Sequence, residues 1–217
     1  MSPVYHAGWT AFRALFAVYF RWRVWNVERV PLEGPVILAA NHASFLDPPI
    51  IGAAVPRPIS YLARESLFRF RVVRPLLKQW NAVPVDRDGG GARGLRLILE
   101  RLNQGNGIVV FPEGTRTHDA SLQAAHSGIG LVIAKTSAPV VPVRTFGTFE
   151  AFGRQHRFPR PYHTAVKFGK PLYYQSQRLE VKNCSRDRLK QIYRELSDDI
   201  MTQIGNLGPW GDKELFP

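Results

Sequence analysis

Two short stretches of this 217-residue chain carry side chains able to do acid–base and anion-binding chemistry. The first is Asn41-His42-Ala43-Ser44-Phe45-Leu46-Asp47, in which four residues separate a histidine from a carboxylate. A carboxylate that accepts from one imidazole nitrogen fixes the tautomer and leaves the other nitrogen free to take a proton. His42 is therefore a candidate general base, and Asp47 its candidate catalytic partner. Such a pair alone is a weak motif, and Ser44-x-x-Asp47 followed by Pro48 also reads as the start of a helix. The second stretch is Phe111-Pro112-Glu113-Gly114-Thr115-Arg116. Gly114 permits close backbone approach, Thr115 adds a hydroxyl, and Arg116 offers a planar fork of donors suited to phosphate. Glu113 either orients that fork or accepts from a substrate hydroxyl. The bland alternative is a tight turn held by a Glu–Arg pair.

A third feature is a tract from Arg57 to Arg101, in which ten Lys/Arg face four acids. Most of it reads as a solvated face, but Arg87 closes the strand-like run Val83–Arg87 and so points toward the edge where the two motifs lie. The glycines at 89–91 lack the lysine of a Walker loop and the spacing of a dinucleotide loop, so they read as a connector. No histidine spacing suits a metal, no G-x-S-x-G elbow occurs, and the single cysteine, Cys184, rules out an internal disulfide or a cysteine-based zinc cluster.

The elements that must position these residues are legible as alternating patterns. Val36–Ala40, Ile59–Ala63, Ala82–Val85, Ile108–Phe111, Val140–Val143 and Ala165–Phe168 read as strands. Pro48–Ala54, Gly91–Asn103 and Gly128–Thr136 read as helices between them. This alternation predicts an α/β fold, a single mostly parallel sheet flanked by helices, with ligands at the carboxyl ends of the strands. Residues 149–163 read as a basic surface loop. Leu189, Ile192, Tyr193, Leu196, Ile200 and Ile204 form a helical packing stripe that stops at Gly205.

The first 25 residues hold eight of the 25 aromatics, yet their longest apolar run is Ala14–Phe20, too short to span a bilayer. Trp9, Phe12, Phe16, Tyr19 and Phe20 fall on one arc of a helix, with Arg13 and Arg23 at its edges. We read residues 8–25 as an N-terminal interfacial helix, its aromatic arc toward lipid and its arginines toward phosphates. The competing reading packs that arc on the protein's own core. The domains expected are a membrane-associating segment, 1–30, and an α/β domain, 31–217. The net charge of +12 implies an anionic partner. Aromatics are sparse in the basic tract, which argues against a nucleic-acid groove.

In this order the motifs resemble those of the glycerolipid acyltransferases, in particular the bacterial 1-acylglycerol-3-phosphate acyltransferases. His42 to Asp47 matches the family's H-x-x-x-x-D block and Phe111 to Arg116 its F-P-E-G-T-R block. Tyr61 to Phe68 with Val83 to Arg87 looks like the second block, and Val141-Pro142-Val143 with Gly147 like the fourth. The resemblance runs from about residue 32 to Leu172. It departs at Arg64, where lysine is frequent, at Ser66, at Asn81, and over Leu122–Gly128, which is usually more basic. It implies transfer of an acyl group from acyl-CoA or acyl carrier protein, a substrate rather than a cofactor, to the sn-2 hydroxyl of lysophosphatidic acid. Acylation of another lysolipid or of glycerol-3-phosphate is the rival, and a non-catalytic basic membrane-binding module a distant one. Implied too are His42 as base, with Glu113, Gly114, Thr115, Arg116, Arg87 and Arg64 binding the acceptor. No metal or redox cofactor is needed, and the implied location is peripheral or monotopic on the cytoplasmic face of the inner membrane.

Overall fold

The computed structural model describes residues 3–71, 73–85 and 91–208. The helices are α1 (Pro3–Tyr19), α2 (Asp47–Ala54), α3 (Val73–Gln79), α4 (Gly91–Asn103), α5 (Gly128–Ala134), α6 (Thr148–Phe152), α7 (Gln175–Glu180) and α8 (Arg186–Gly205). The strands are β1 (Arg23–Trp25), β2 (Val36–Ala40), β3 (Ile59–Arg64), β4 (Ala82–Val85), β5 (Gly107–Val110), β6 (Val140–Phe146) and β7 (Ala165–Phe168). Together they form one seven-stranded sheet in the order β1-β7-β6-β2-β5-β3-β4, in which only the β6–β7 pairing is antiparallel. Single mostly parallel sheets of this kind are covered on both faces, and strands buried on both sides read as continuous apolar runs, as β2 does.

Alternation along the strands divides the core. Val36, Leu38 and Ala40 of β2 point into one layer with Val109, Val141 and Val143, against α1 and α2. Ile37 and Ala39 point into the other with Ile108 and Val140, against α4, α5 and α8. The expected stripe on α8 supplies Ile192, Leu196, Ile200 and Ile204 to this second layer, each at most 1% exposed. Ser185 caps that helix by accepting from the Arg188 amide. Helices α5 and α8 meet closely at Gly130, whose amide donates to Ser197 Oγ. A Cβ on Gly130 would lie 1.8 Å from the Tyr193 carbonyl oxygen.

The amino-terminal segment departs from expectation. The helix ends at Tyr19, and residues 23–25, read as helical, are instead a strand that pairs with β7. The aromatic arc faces the protein, since Phe16 and Phe20 are 1% and 3% exposed and Phe12 stands edge-on to Trp80. Arg13 does not reach outward: it donates to the Ala53 carbonyl and lies over the Trp9 ring, while Trp9 Nε1 donates to the Val55 carbonyl. The physical reason is that the last carbonyls of α2 have no partners within their own helix, and α1 supplies donors to them. What α1 leaves to solvent is the face of Leu15 and Val18, at 50% and 81% exposure, together with Tyr19 of the arc at 39%. Among the described residues no helix is long and apolar enough to cross a membrane.

Candidate functional site

Strand β2 lies between β5 and β6, so the chain after each of the three strands emerges at one sheet edge. In open parallel sheets this is where ligands bind. Register brings the two motifs together: Ala39 pairs with Val110, and three residues further on the His42 amide donates to Glu113 Oε1 at 2.8 Å. A second tie follows from Thr117, whose amide donates to the His42 carbonyl. The two loops are thus tied to one another by one backbone-to-side-chain bond and one backbone bond.

His42 Nδ1 donates to Asp47 Oδ2 at 2.9 Å. The same oxygen accepts from the amides of Ala43 and Ser44, each at 2.7 Å, while Oδ1 accepts from Thr145 Oγ1 at 3.1 Å. Asp47 is fully buried, and this cluster of donors satisfies it. An oxygen that accepts from two amides has only acceptor capacity left for the imidazole, so the proton sits on Nδ1 and Nε2 carries the free lone pair. The His42 ring stacks on Phe111 at 3.9 Å between centroids and keeps 11% exposure. The expected capping pattern is half realised. Asp47 does reach back to the Ser44 amide, but the Ser44 hydroxyl accepts from Leu46 N and donates to the Phe152 carbonyl.

Glu113 has a positioning role beyond the two expected of it. One carboxylate oxygen takes the His42 amide and the other the Gln123 amide, and the residue is 3% exposed. Through these two bonds it holds the His42 loop to the chain that follows β5. Burial pushes its carboxyl up to about 7, with the nearby Asp47 charge adding to the rise and the two amide bonds opposing it. Gly114, next in the turn, has φ +66°, and a Cβ there would meet the His126 ring at 2.6 Å. The His126 amide in turn donates to the Pro112 carbonyl.

Beside His42 opens a cavity of about 720 Å³. Leu62 of β3, Leu95 and Ile98 of α4, Val109 of β5 and Ile129 of α5 give it an apolar wall. Arg64, Gly114 and His126 line it as well, so Arg64 shares a chamber with the imidazole. Arg116 and Thr115 do not line this chamber. The Arg116 guanidinium lies 3.4 Å from the centre of the Phe45 ring, within the His42 loop, and Thr115 accepts from Arg154. The positive groups expected to act together thus split into one that faces the cavity and one on the adjoining surface. Arg87 and the connector glycines Gly89 and Gly90 fall outside the described residues.

Sequence reasoning missed three groups. Thr145 binds Asp47 and also donates its amide to Asn41 Oδ1, and the signal for it was its place at the end of β6, the strand next to β2. His126 belongs to the stretch already marked as unusual for its low basicity. Arg154 lies in the basic loop, whose contact with Thr115 only the fold reveals. Among the described residues no group of three or more His, Cys, Asp or Glu could hold a metal ion.

Comparison with known proteins adds four findings. The acyltransferase family profile matches residues 21–145, more than half of the chain. The 1-acyl-sn-glycerol-3-phosphate acyltransferase of Bacillus subtilis is 30% identical over 122 residues, 55% of this chain and 60% of that protein. A lyso-ornithine lipid O-acyltransferase of Pseudomonas aeruginosa is 27% identical over 110 residues, covering 50% of this chain and 42% of that protein. The matched region thus spans about half of these relatives. The crystal structure of the 1-acyl-sn-glycerophosphate acyltransferase PlsC from Thermotoga maritima superposes with a TM-score of 0.70 at 25% identity, covering 96% of this chain and 80% of that one.

Proposed function

Because this chain belongs to the acyltransferase family, we propose that it moves an acyl group from a thioester to the sn-2 hydroxyl of 1-acylglycerol-3-phosphate, forming phosphatidic acid. The observation that carries this reading is the His42–Asp47 pair beside an apolar cavity that also holds Arg64. An alcohol is a poor nucleophile while protonated. His42 Nε2 takes the hydroxyl proton as the oxygen attacks the thioester carbonyl. The C–O bond forms, the C–S bond breaks, and the imidazolium returns its proton to the departing thiolate. Asp47 fixes the tautomer and stabilises the imidazolium; it is a positioning residue. General base catalysis of this kind contributes about 10²–10⁴-fold, and holding hydroxyl, base and thioester together contributes at least as much.

The apolar cavity suits an acyl chain, and its volume falls in the range of ligand pockets. Arg64 lies where it can neutralise the acceptor phosphate, and Arg116 with Thr115 and Gly114 flanks the approach to it. The donor is acyl-CoA or acyl carrier protein, whose phosphates or acidic surface suit the chain's positive charge. Both substrates are lipidic, so attachment to a bilayer by the outer face of α1 is part of the proposal.

The test is acyl transfer from CoA and carrier-protein thioesters to lysophosphatidate, a lyso-ornithine lipid and glycerol-3-phosphate. Transfer to lysophosphatidate should exceed that to the others. Robust transfer to the phosphate-free lysolipid with none to lysophosphatidate overturns the acceptor assignment.

A further inference from the structure

The loop between α6 and β7 is basic and carries exposed aromatic rings. From Ala151 to Thr164 it contains no Asp or Glu but has Arg154, Arg157 and Arg160, with His156 and His163. Phe158 at 69% and Tyr162 at 48% are among the most exposed large apolar side chains. Arg157 lies over the Phe158 ring. A soluble surface gains nothing from exposing such rings, and their company of arginines is the composition of the headgroup level of a bilayer.

The loop is not isolated. Tyr19 donates its hydroxyl to the Pro159 carbonyl, and the Thr164 amide donates to Phe20 O while Arg23 N donates to Thr164 O. The carboxyl end of α1 is therefore bound to the loop. The residues up to Val27 are also free of acidic side chains. Leu15, Val18 and Tyr19 of α1 continue the exposed apolar band. At its other side the loop reaches the site: Arg154 donates to Thr115, and Phe152 packs on Phe45, over which Arg116 lies. Since β7 runs antiparallel to β6, the chain enters it at the edge where β2 and β5 end. The acid-free loop thus links the carboxyl end of α1 to Thr115 and Phe45 of the two motif loops.

We propose that the loop of residues 153–163 is a second membrane-docking element, which seats its arginines on anionic phospholipid headgroups and Phe158 and Tyr162 at the acyl boundary. This deepens the proposed function, since it fixes the reaction edge at the surface from which a lysolipid arrives. Charge complementarity selects an anionic bilayer over a zwitterionic one.

The experiment measures sedimentation of the full chain with phosphatidylcholine vesicles, with or without phosphatidylglycerol, for wild type, Arg157→Gln/Arg160→Gln and Phe158→Ser. All three substituted side chains are exposed, and thermal melting checks that each variant is folded. Binding to anionic vesicles should fall about tenfold or more in the double arginine variant, and in Phe158→Ser on both vesicle types. Turnover of vesicle-embedded lysolipid should fall in parallel, while a short-chain acceptor below its micelle concentration is turned over as by wild type. Unchanged sedimentation of the folded variants overturns the proposal. So does a turnover loss confined to carrier-protein donors with vesicle binding intact, which reassigns the loop to the carrier. Absence of transfer in wild type refutes the proposed function instead, and leaves the vesicle result to be read by itself.

Discussion

The two motifs meet at one sheet edge but are built in opposite ways. In the His42 corner the reactive ring is held by buried groups: Asp47 receives four hydrogen bonds, Glu113 receives two, and neither exceeds 3% exposure. In the basic corner Arg64, Gly114 and Thr115 are exposed, and Arg116 rests on an aromatic face. The contrast suits the tasks proposed for the two corners. A proton acceptor must be oriented before the substrate arrives, because a small misplacement forfeits the entropic gain. A phosphate ligand must stay open, because buried cations without partners are costly. The difference predicts that substitutions in the first corner act on turnover and those in the second on acceptor affinity.

The largest effect tests the first half of that contrast. His42→Ala should lower kcat by about 10²–10⁴-fold with the fold intact by circular dichroism. Asp47→Asn should cost less, about a hundredfold. The Ala43 and Ser44 amides select a carboxamide oxygen at the Oδ2 position, so the tautomer survives and only the charge opposite the imidazolium is lost. A kcat for Asp47→Asn below that of His42→Ala would show that the aspartate does more than position and stabilise.

Next comes the basic corner. Arg64→Ala and Arg116→Ala should each raise the acceptor KM roughly tenfold to a hundredfold, as expected for a charged hydrogen bond, and leave the donor KM nearly unchanged. Because Arg64 lines the cavity and Arg116 does not, Arg64→Ala should be the larger of the two. Equal shifts in donor and acceptor KM would erase the division between the corners.

A smaller effect separates both corners from the apolar wall. A Cβ at Gly94 would make ordinary contacts with Leu62 and Val85 at 3.5 and 3.6 Å. Gly94→Leu therefore fits at its first carbon and then fills the cavity. Preference should move to shorter acyl donors, by about fourfold for each methylene displaced, at unchanged acceptor KM. An unaltered chain-length profile would place the acyl chain elsewhere.

How far these corners could be read beforehand depends on the range of the forces involved. The six expected strands and the α2, α4, α5 and α8 helices are local patterns, and the fold keeps them with shifts of a residue or two at most strand and helix ends. What pattern could not supply is direction. Helix α1 is apolar nearly all round, so periodicity gave no reason to choose the face that carries Trp9 and Phe16, and the choice was made by the unpaired carbonyls of α2. The strand of residues 23–25 is too short to signal itself, and its pairing with β7 bridges the whole domain. Spacing placed His42 with Asp47, but the role of Glu113 needed the β2–β5 register, and Thr145 needed β6 as the other neighbour.

The subtlest measurement concerns Glu113, which belongs to the rigid corner although its motif belongs to the open one. Its carboxyl holds a proton up to about 7 in the folded chain, whereas an unfolded glutamate releases it near 4.3. Between those values the folded state carries the extra proton, so stability falls as pH rises through this window and levels off above about 7. The sign is opposite to that of a carboxylate held by a salt bridge. Glu113→Gln removes the titration, and with it this part of the slope. It also leaves the carboxamide nitrogen facing an amide donor, either of His42 or of Gln123, so the variant should melt below wild type at pH 5. The gap between the two melting curves should then narrow toward pH 7. A gap that stays constant across that range would mean that Glu113 is ionised throughout, and that the His42 loop is held by a carboxylate rather than by a neutral carboxyl.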